Sequence, residues 1–231
     1  RMVRNDRVIW ASCMVSCGDA DGAVTGNTRR YGASLEKIKK VIEPRPGEIM
    51  FGLNMIVSKG KTVFVGDTSV HEYPTSEQLA EIAISSARVV RLFGFNPKIA
   101  FVSHSTFGQP LTSRTKHIKN AVDILKEKKV NFKFDGDMQP DVALNSEYKE
   151  LYPFSEIVGN ANILIMPGQH SAAISYKMMR ELGGAKVIGP LLIGLAQPIE
   201  IAPLRSSTSD ILNLASVAAY SAGVINYRKK N

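Results

Sequence analysis

Three short stretches of this 231-residue chain bring together side chains able to do chemistry. The first, "EIAPLRSSTSDILN" (200–213), sets Arg205, Ser207 and Asp210 where an apolar run gives way to a helical pattern. Ser207 and Asp210 fit S-x-x-D, a capping box in which each side chain satisfies the other residue's backbone N–H. That reading is complete without any function. A function can coexist with it, because a helix N-terminus attracts anions and Arg205 stands just before this one. The second stretch, "SHSTFG" (103–108), follows an apolar run and offers Ser103, Ser105 and Thr106. Such hydroxyls and amides can receive a phosphate, or the loop can be a plain connection. It matches neither the Walker pattern nor G-x-S-x-G. The third, "GAVTGNTRR", places Arg29 and Arg30 in a Gly-bounded turn, as a phosphate grip or a solvated pair.

Other candidates are weaker. "DGDMQPD" holds Asp135, Asp137 and Asp141, enough oxygen for a hard cation but without the spacing or distal Glu of an EF-hand loop. Asp-Gly is also a turn signal, and "GDADG" (18–22) reads the same way. His71, His104, His117 and His170 form no H-E-x-x-H, so no metal site is expected. Cys13 and Cys17 lie four apart on one helix face, a geometry unsuited to a disulfide and short of ligands for zinc. They read as two reduced core thiols of a cytoplasmic protein.

The elements that must position these loops alternate. "EIMFGLNMIVS" and "TVFVGD", joined by "KGK", predict a hairpin. "TSEQLAEIAISSARVVRLFG" predicts a helix that starts on the Thr75/Gln78 capping box and stops at Gly94. "PKIAFVS" predicts a buried strand, "RTKHIKNAVDILKEKK" a helix, and "VNFKFD" and "NILIMP" strands. A helix over "SAAISYKMMRELGG", strands in "KVIGPLLIG" and "PIEIAP", and a final helix from Thr208 to about Tyr227 complete the pattern. Strands separated by helices of this length imply a mostly parallel sheet covered on both faces. Ligands in such sheets sit beyond the carboxyl ends of strands, which places "SHSTFG", "DGDMQPD" and "PLRSSTSD" around candidate crevices.

Composition sets limits. No apolar run is long enough to span a bilayer, and the N-terminus lacks a signal-peptide cleavage site. The net charge of +8 is spread over many segments and aromatics are only 7%, which disfavours a nucleic-acid groove. A few Arg on a polyanionic small ligand is the sharper use of that charge. The chain opens on Arg1 in a helical pattern, as a fragment of something longer is expected to do.

Taken together, "DADGAVTGNTRRY", "SHSTFG", "FDGDMQPDVALN", "NILIMPGQHSAAISYKMMRELGGAKVIGPLLIGLAQPIEI" and "SDILNLASVAAY" resemble the phosphate acetyltransferase (phosphotransacetylase) family from about residue 8 to 222. "NDRVIWASCMVS", "TGNTRRY", "YPFSEIVGNANILIMP" and "HSAAISYKM" are closer still to the acetyltransferase-like C-terminal domain of bacterial NADP-dependent malic enzymes. The resemblance implies an α/β fold of two subdomains with mostly parallel sheets, flanking helices and a cleft between them, its N-terminal part missing here. It implies an upstream malic enzyme domain that carries NADP and a divalent metal. No G-x-G-x-x-G occurs in this chain.

Departures from the family pattern matter more. The resemblance implies a Ser-Arg pair seven and six positions before Asp210, where this chain has Pro203 and Leu204, and a Lys where it has Phe107. An Arg of the family falls on Glu36. Acetyl transfer to phosphate needs cations at the developing charge, and losing one such donor typically costs 10²–10³ in rate. The expectation is a domain with no catalytic residues. It would bind acetyl-CoA or a related acyl-CoA through Arg29, Arg30, Ser103, Ser105, Thr106, Arg205 and Asp210. A homo-oligomer is expected, paired through the last helix, with no nucleic acid or membrane as partner. The alternative is a working phosphate acetyltransferase in which Arg205 replaces the missing Arg.

Overall fold

A computed structural model describes residues 2–108 and 112–230, side chains of 2, 114 and 226–230 excepted. The chain opens with α1 (Met2–Asn5), α2 (Arg7–Cys17), β1 (Ala23–Gly26) and α3 (Tyr31–Ile38). A hairpin of β2 (Phe51–Ser58) and β3 (Lys61–Gly66) leads into α4 (Ser76–Leu92), β4 (Lys98–Val102), α5 (Ser113–Glu127) and β5 (Lys133–Met138). After α6 (Pro140–Leu144) and a 3-10 turn come β6 (Ile163–Ile165), α7 (Gln169–Gly183), β7 (Lys186–Ile193), β8 (Ile199–Ala202) and α8 (Thr208–Lys230). Two compact units result: Arg1–Gly52 with Ile188–Asn231, and Leu53–Val187.

The larger unit is built on strands ordered β5-β4-β6-β3-β2. β3, β6, β4 and β5 run parallel, and β2 is antiparallel to its neighbour β3. Val65, Ala100, Val102, Leu164 and Met166 face a core that Val142, Ile157, Ala172 and Tyr176 close. Alternation sends Phe64, Ile99, Phe101, Ile163 and Ile165 to the other face; α4 packs against these strands, and α5 packs against β5 and α4. Both helices start on reciprocal capping boxes, Thr75 with Gln78 and Thr112 with Thr115. Gly94, at φ 84°, stands just past the end of α4 in the left-handed region that glycine enters freely.

In the smaller unit β1 and β8 pair in parallel, Ala23 opposite Ile199 through Gly26 opposite Ala202. α2, α3 and α8 pack around this pair. Asp6 caps α2 by accepting from the N–H groups of Val8 and Ile9 at 2.9 and 3.3 Å. Among the described residues no helix is long and apolar enough to cross a membrane.

Three local expectations change. "GAVTGNT" is strand β1 before it is a turn, because its four residues find a partner in β8, at the far end of the sequence. β5 runs through Asp135-Gly136-Asp137 to Met138, so this Asp-Gly pair is strand and not turn. Cys17 is exposed on the last turn of α2, and only Cys13 is partly covered.

Candidate functional site

In the smaller unit the loops after β1 and β8 are stitched together. The Asn27 N–H donates to the Ala202 carbonyl at 2.8 Å, and the Arg205 N–H donates to the Asn27 carbonyl at 3.3 Å. Gly26 permits this approach: at φ 102° a Cβ there would stand 2.3 Å from the Ala202 carbonyl oxygen. Asn27 and Arg205 both take positive φ, 63° and 60°. The result brings the turn that bears Arg29 and Arg30 beside the loop that bears Arg205 and Asp210. Both loops lie at the carboxyl ends of parallel strands, and α3 and α8 begin from them. Arg29, Arg30 and Arg205 are exposed.

Charge around them is partly matched. The Arg29 guanidinium reaches Asp6 at 3.3 Å, and Lys37 also meets that carboxylate. The Lys37 ammonium holds the Asp6 carboxyl below its usual range. Asp210 closes the expected capping box: its Oδ2 accepts from the Ser207 N–H at 2.9 Å and the Ser207 hydroxyl at 2.8 Å, while its own N–H donates back to Ser207 Oγ at 3.2 Å. Leu204, exposed, and Pro203, half-buried, occupy the two positions that the resemblance gives to Ser and Arg.

The third loop belongs to the other unit. Ser103, Ser105 and Thr106 are buried at the carboxyl end of β4. The Ser105 hydroxyl donates to the buried Asp137 carboxylate, whose other oxygen accepts the Gly108 N–H at 3.0 Å. Ser103 Oγ lies 3.2 Å from Ser105 Oγ, and Thr106 Oγ1 accepts the Gln139 N–H at 3.2 Å. A bulge places Asp137 there: Phe101 pairs with Gly136 and Val102 with Met138, leaving Asp137 as the extra residue aimed at the loop. Gly136 is required, since a Cβ would come within 2.7 Å of the Phe101 carbonyl oxygen. The Ser105 hydroxyl is thus committed to a carboxylate, which repels the anion that it was expected to receive.

The whole-chain comparisons agree with this architecture. Residues 1–219 match the family model described as phosphate acetyl/butaryl transferase. The chain belongs to that family. It is 47% identical over 223 residues to an NADP-dependent malic enzyme of Rhizobium meliloti (strain 1021), covering 96% of this chain and 29% of that protein. It is 34% identical over 232 residues to the phosphate acetyltransferase of Clostridium acetobutylicum, covering 96% and 69%. The crystal structure of a phosphotransacetylase from Streptococcus pyogenes superposes with a TM-score of 0.90 at 30% identity, over 96% of this chain and 68% of that one. The chain therefore corresponds to under a third of the length of the malic enzyme relative.

Within this family member, sequence reasoning missed Asp137 as the partner of Ser105, Asp6 and Lys37 as the charges beside Arg29, and Glu200. Glu200 is buried in β8 with one carboxylate oxygen 2.9 Å from the Leu192 N–H. Burial pushes its carboxyl up to about 8, and the Leu192 hydrogen bond only partly opposes that. A Glu between two isoleucines in a four-residue strand was the available signal. Among the described residues no three His, Cys, Asp or Glu side chains gather to hold a metal.

Proposed function

We propose that this chain is the acyl-CoA-binding, oligomerising part of a cytoplasmic NADP-dependent malic enzyme, and that it transfers no acetyl group itself. The observation that carries the reading is the stitched pair of loops after β1 and β8. They gather Arg29, Arg30 and Arg205 at two helix starts, while Ser207 and Asp210 spend their side chains on the cap. Such an edge can hold phosphates by charge-assisted bonds, yet it offers no activated nucleophile or base. NADP and a divalent metal would belong to the malic enzyme portion, whose malate oxidation yields pyruvate. Sensing acetyl-CoA, formed downstream of pyruvate, is a reason to retain the edge. An allosteric coupling of about 1–3 kcal/mol would suffice. In the smaller unit Asp210 orients the helix start, and Arg29 and Arg30 meet the anion.

A second reading, an active phosphate acetyltransferase with Arg205 in the lost Arg's role, draws on the close structural match to the Streptococcus pyogenes protein. Two measurements separate them. Titration calorimetry should find acetyl-CoA binding that Arg29→Ala with Arg30→Ala weakens by about tenfold or more. Acetyl phosphate and CoA incubated with the chain should give no acetyl-CoA; turnover of about 1 s⁻¹ or faster would establish the acetyltransferase instead. In the whole enzyme the double substitution should blunt the acetyl-CoA response and leave malate turnover intact.

A further inference from the structure

In the larger unit β4 and β6 lie side by side and diverge at their carboxyl ends. From β4 the chain turns into α5, in the layer of α4. From β6 it turns into α7, whose Ala172 and Tyr176 close the core on the other face. Ligands of parallel sheets bind in the crevice at such a divergence. The loop after β3 walls this crevice on a third side. Across it the Met166 N–H donates to the Gly66 carbonyl at 2.8 Å and the Gln169 N–H to the Glu72 carbonyl at 3.3 Å. α7 begins there with no side-chain cap and no acidic residue in its first turn. Among the described residues the N–H groups of His170 and Ser171 are left without a partner. An uncapped helix start alone marks no site, and Asn54 supplies the second observation. It stands opposite Val65 in the β2–β3 register, so its side chain lies on the face that α7 covers. Asn54 is fully buried; its Oδ1 accepts the Thr68 hydroxyl at 2.6 Å, while its Nδ2 has no partner among the described residues. Ser69 Oγ, in the loop that Thr68 belongs to, is also buried without one. A buried donor left open is costly, and an oxygen of a ligand satisfies it.

We propose that this crevice binds a small carboxylate of single negative charge. Its carboxylate sits on the open N–H groups at the start of α7, and an oxygen on its next carbon accepts from Asn54 Nδ2. The charges of the site select that class. The segments that wall the crevice, 67–72, 103–108 and 166–171, contain no Lys or Arg, so a phosphate dianion would meet no cation there. Phe107, in the second of them, packs on Tyr152 and Phe154 with ring centroids 5.4 and 4.8 Å away and adds only apolar surface. A helix start with neutral donors is matched to one charge. Asp67 does not oppose it, because its buried carboxylate is already engaged. It accepts the N–H groups of Ser69, Val70 and His71 at 2.9, 3.1 and 2.7 Å and meets His71 Nδ1 at 2.7 Å. At the rim the Glu72 carboxylate lies 3.2 Å from His170 Nε2. Pyruvate, the product in the reading above, belongs to this class and serves as the probe. The site itself depends neither on that reading nor on the acyl-CoA edge of the smaller unit.

Titration calorimetry of sodium pyruvate into the chain, at constant ionic strength, tests it. Pyruvate should bind with a Kd of about 1 mM or tighter. Inorganic phosphate should bind more weakly, and the uncharged methyl ester of pyruvate should not bind. Ser171→Asp sets a carboxylate of the chain itself on the same N–H groups. It should abolish pyruvate binding while the thermal unfolding midpoint holds or rises, which a damaged fold would not do. Asn54→Leu keeps the volume, removes the open donor and should weaken pyruvate by about tenfold or more. If Asn54→Leu does not fold, the two readouts of Ser171→Asp decide alone. No pyruvate binding to the wild type overturns the inference, and so does binding that survives Ser171→Asp. Phosphate binding tighter than pyruvate overturns the assignment to a singly charged carboxylate. Acetyl-CoA binding is scored separately, on the Arg29 and Arg30 variants, so the two readings fail independently.

Discussion

Glu200 sits between Ile199 and Ile201, all three buried in β8, and its carboxyl is pushed up to about 8 from an ordinary 4.5. Below pH 4.5 both folded and unfolded chains carry this proton, and the group does not disfavour folding. As pH rises from 4.5 towards 8 the unfolded chain releases its proton first, so the folded state loses stability across that window. At about 1.4 kcal/mol for each tenfold change in proton affinity, the loss amounts to several kcal/mol. Glu200→Gln keeps the bond from Leu192 and removes the titration. Thermal unfolding of both proteins at pH 5, 6.5 and 8 should show the variant gaining on the wild type as pH rises. Parallel curves would mean that Glu200 ionises normally in the folded state. Asp137, also buried, accepts hydrogen bonds from the Ser105 hydroxyl and the Gly108 N–H.

At the scale of elements, the start of α8 and the β1–β8 pair are held by different physics. The Ser207–Asp210 box satisfies N–H groups at one helix end, and Ser207→Ala should cost about 1 kcal/mol. Gly26 sits where β1 and β8 touch, at a positive φ and with no room for a methyl group. Gly26→Ala must therefore part the two loops or strain the backbone, and should cost more than the cap does. Urea unfolding of both variants checks the order. Acetyl-CoA affinity should also fall in Gly26→Ala, because the displaced strand carries the Arg29–Arg30 turn with it. A Gly26→Ala protein as stable as wild type would show that the close approach is not required.

For the whole molecule, a net charge of +8 spread over both units favours anionic ligands without concentrating into a nucleic-acid groove. If the phosphates of acetyl-CoA are the handle, affinity should weaken several-fold between about 50 and 500 mM salt, as exposed charge pairs are screened. Uncharged acetyl-pantetheine should bind weakly and without that dependence. Equal salt response of the two ligands would move recognition away from the arginines.

What the sequence by itself determined were arrangements that close within three or four residues or repeat along one element. The caps at Thr75, Ser207 and Gly94, the hairpin around Lys59-Gly60 and the buried strand β4 follow from local geometry and composition, and so they were legible. The α/β class followed from the same periodicities. The partners of the candidate residues were not legible. Ser105 finds Asp137 32 positions away, Arg29 finds Asp6 23 positions away, and Asn27 finds Ala202 only because β1 and β8 share a register. A bulge of one residue in β5 decides which face Asp137 takes, and no spacing rule reports a bulge that is defined only by pairing with the distant strand β4. Tertiary structure therefore decided which hydroxyls are already spent and which arginines gather, because those outcomes depend on how distant strands pair rather than on the order of residues within each.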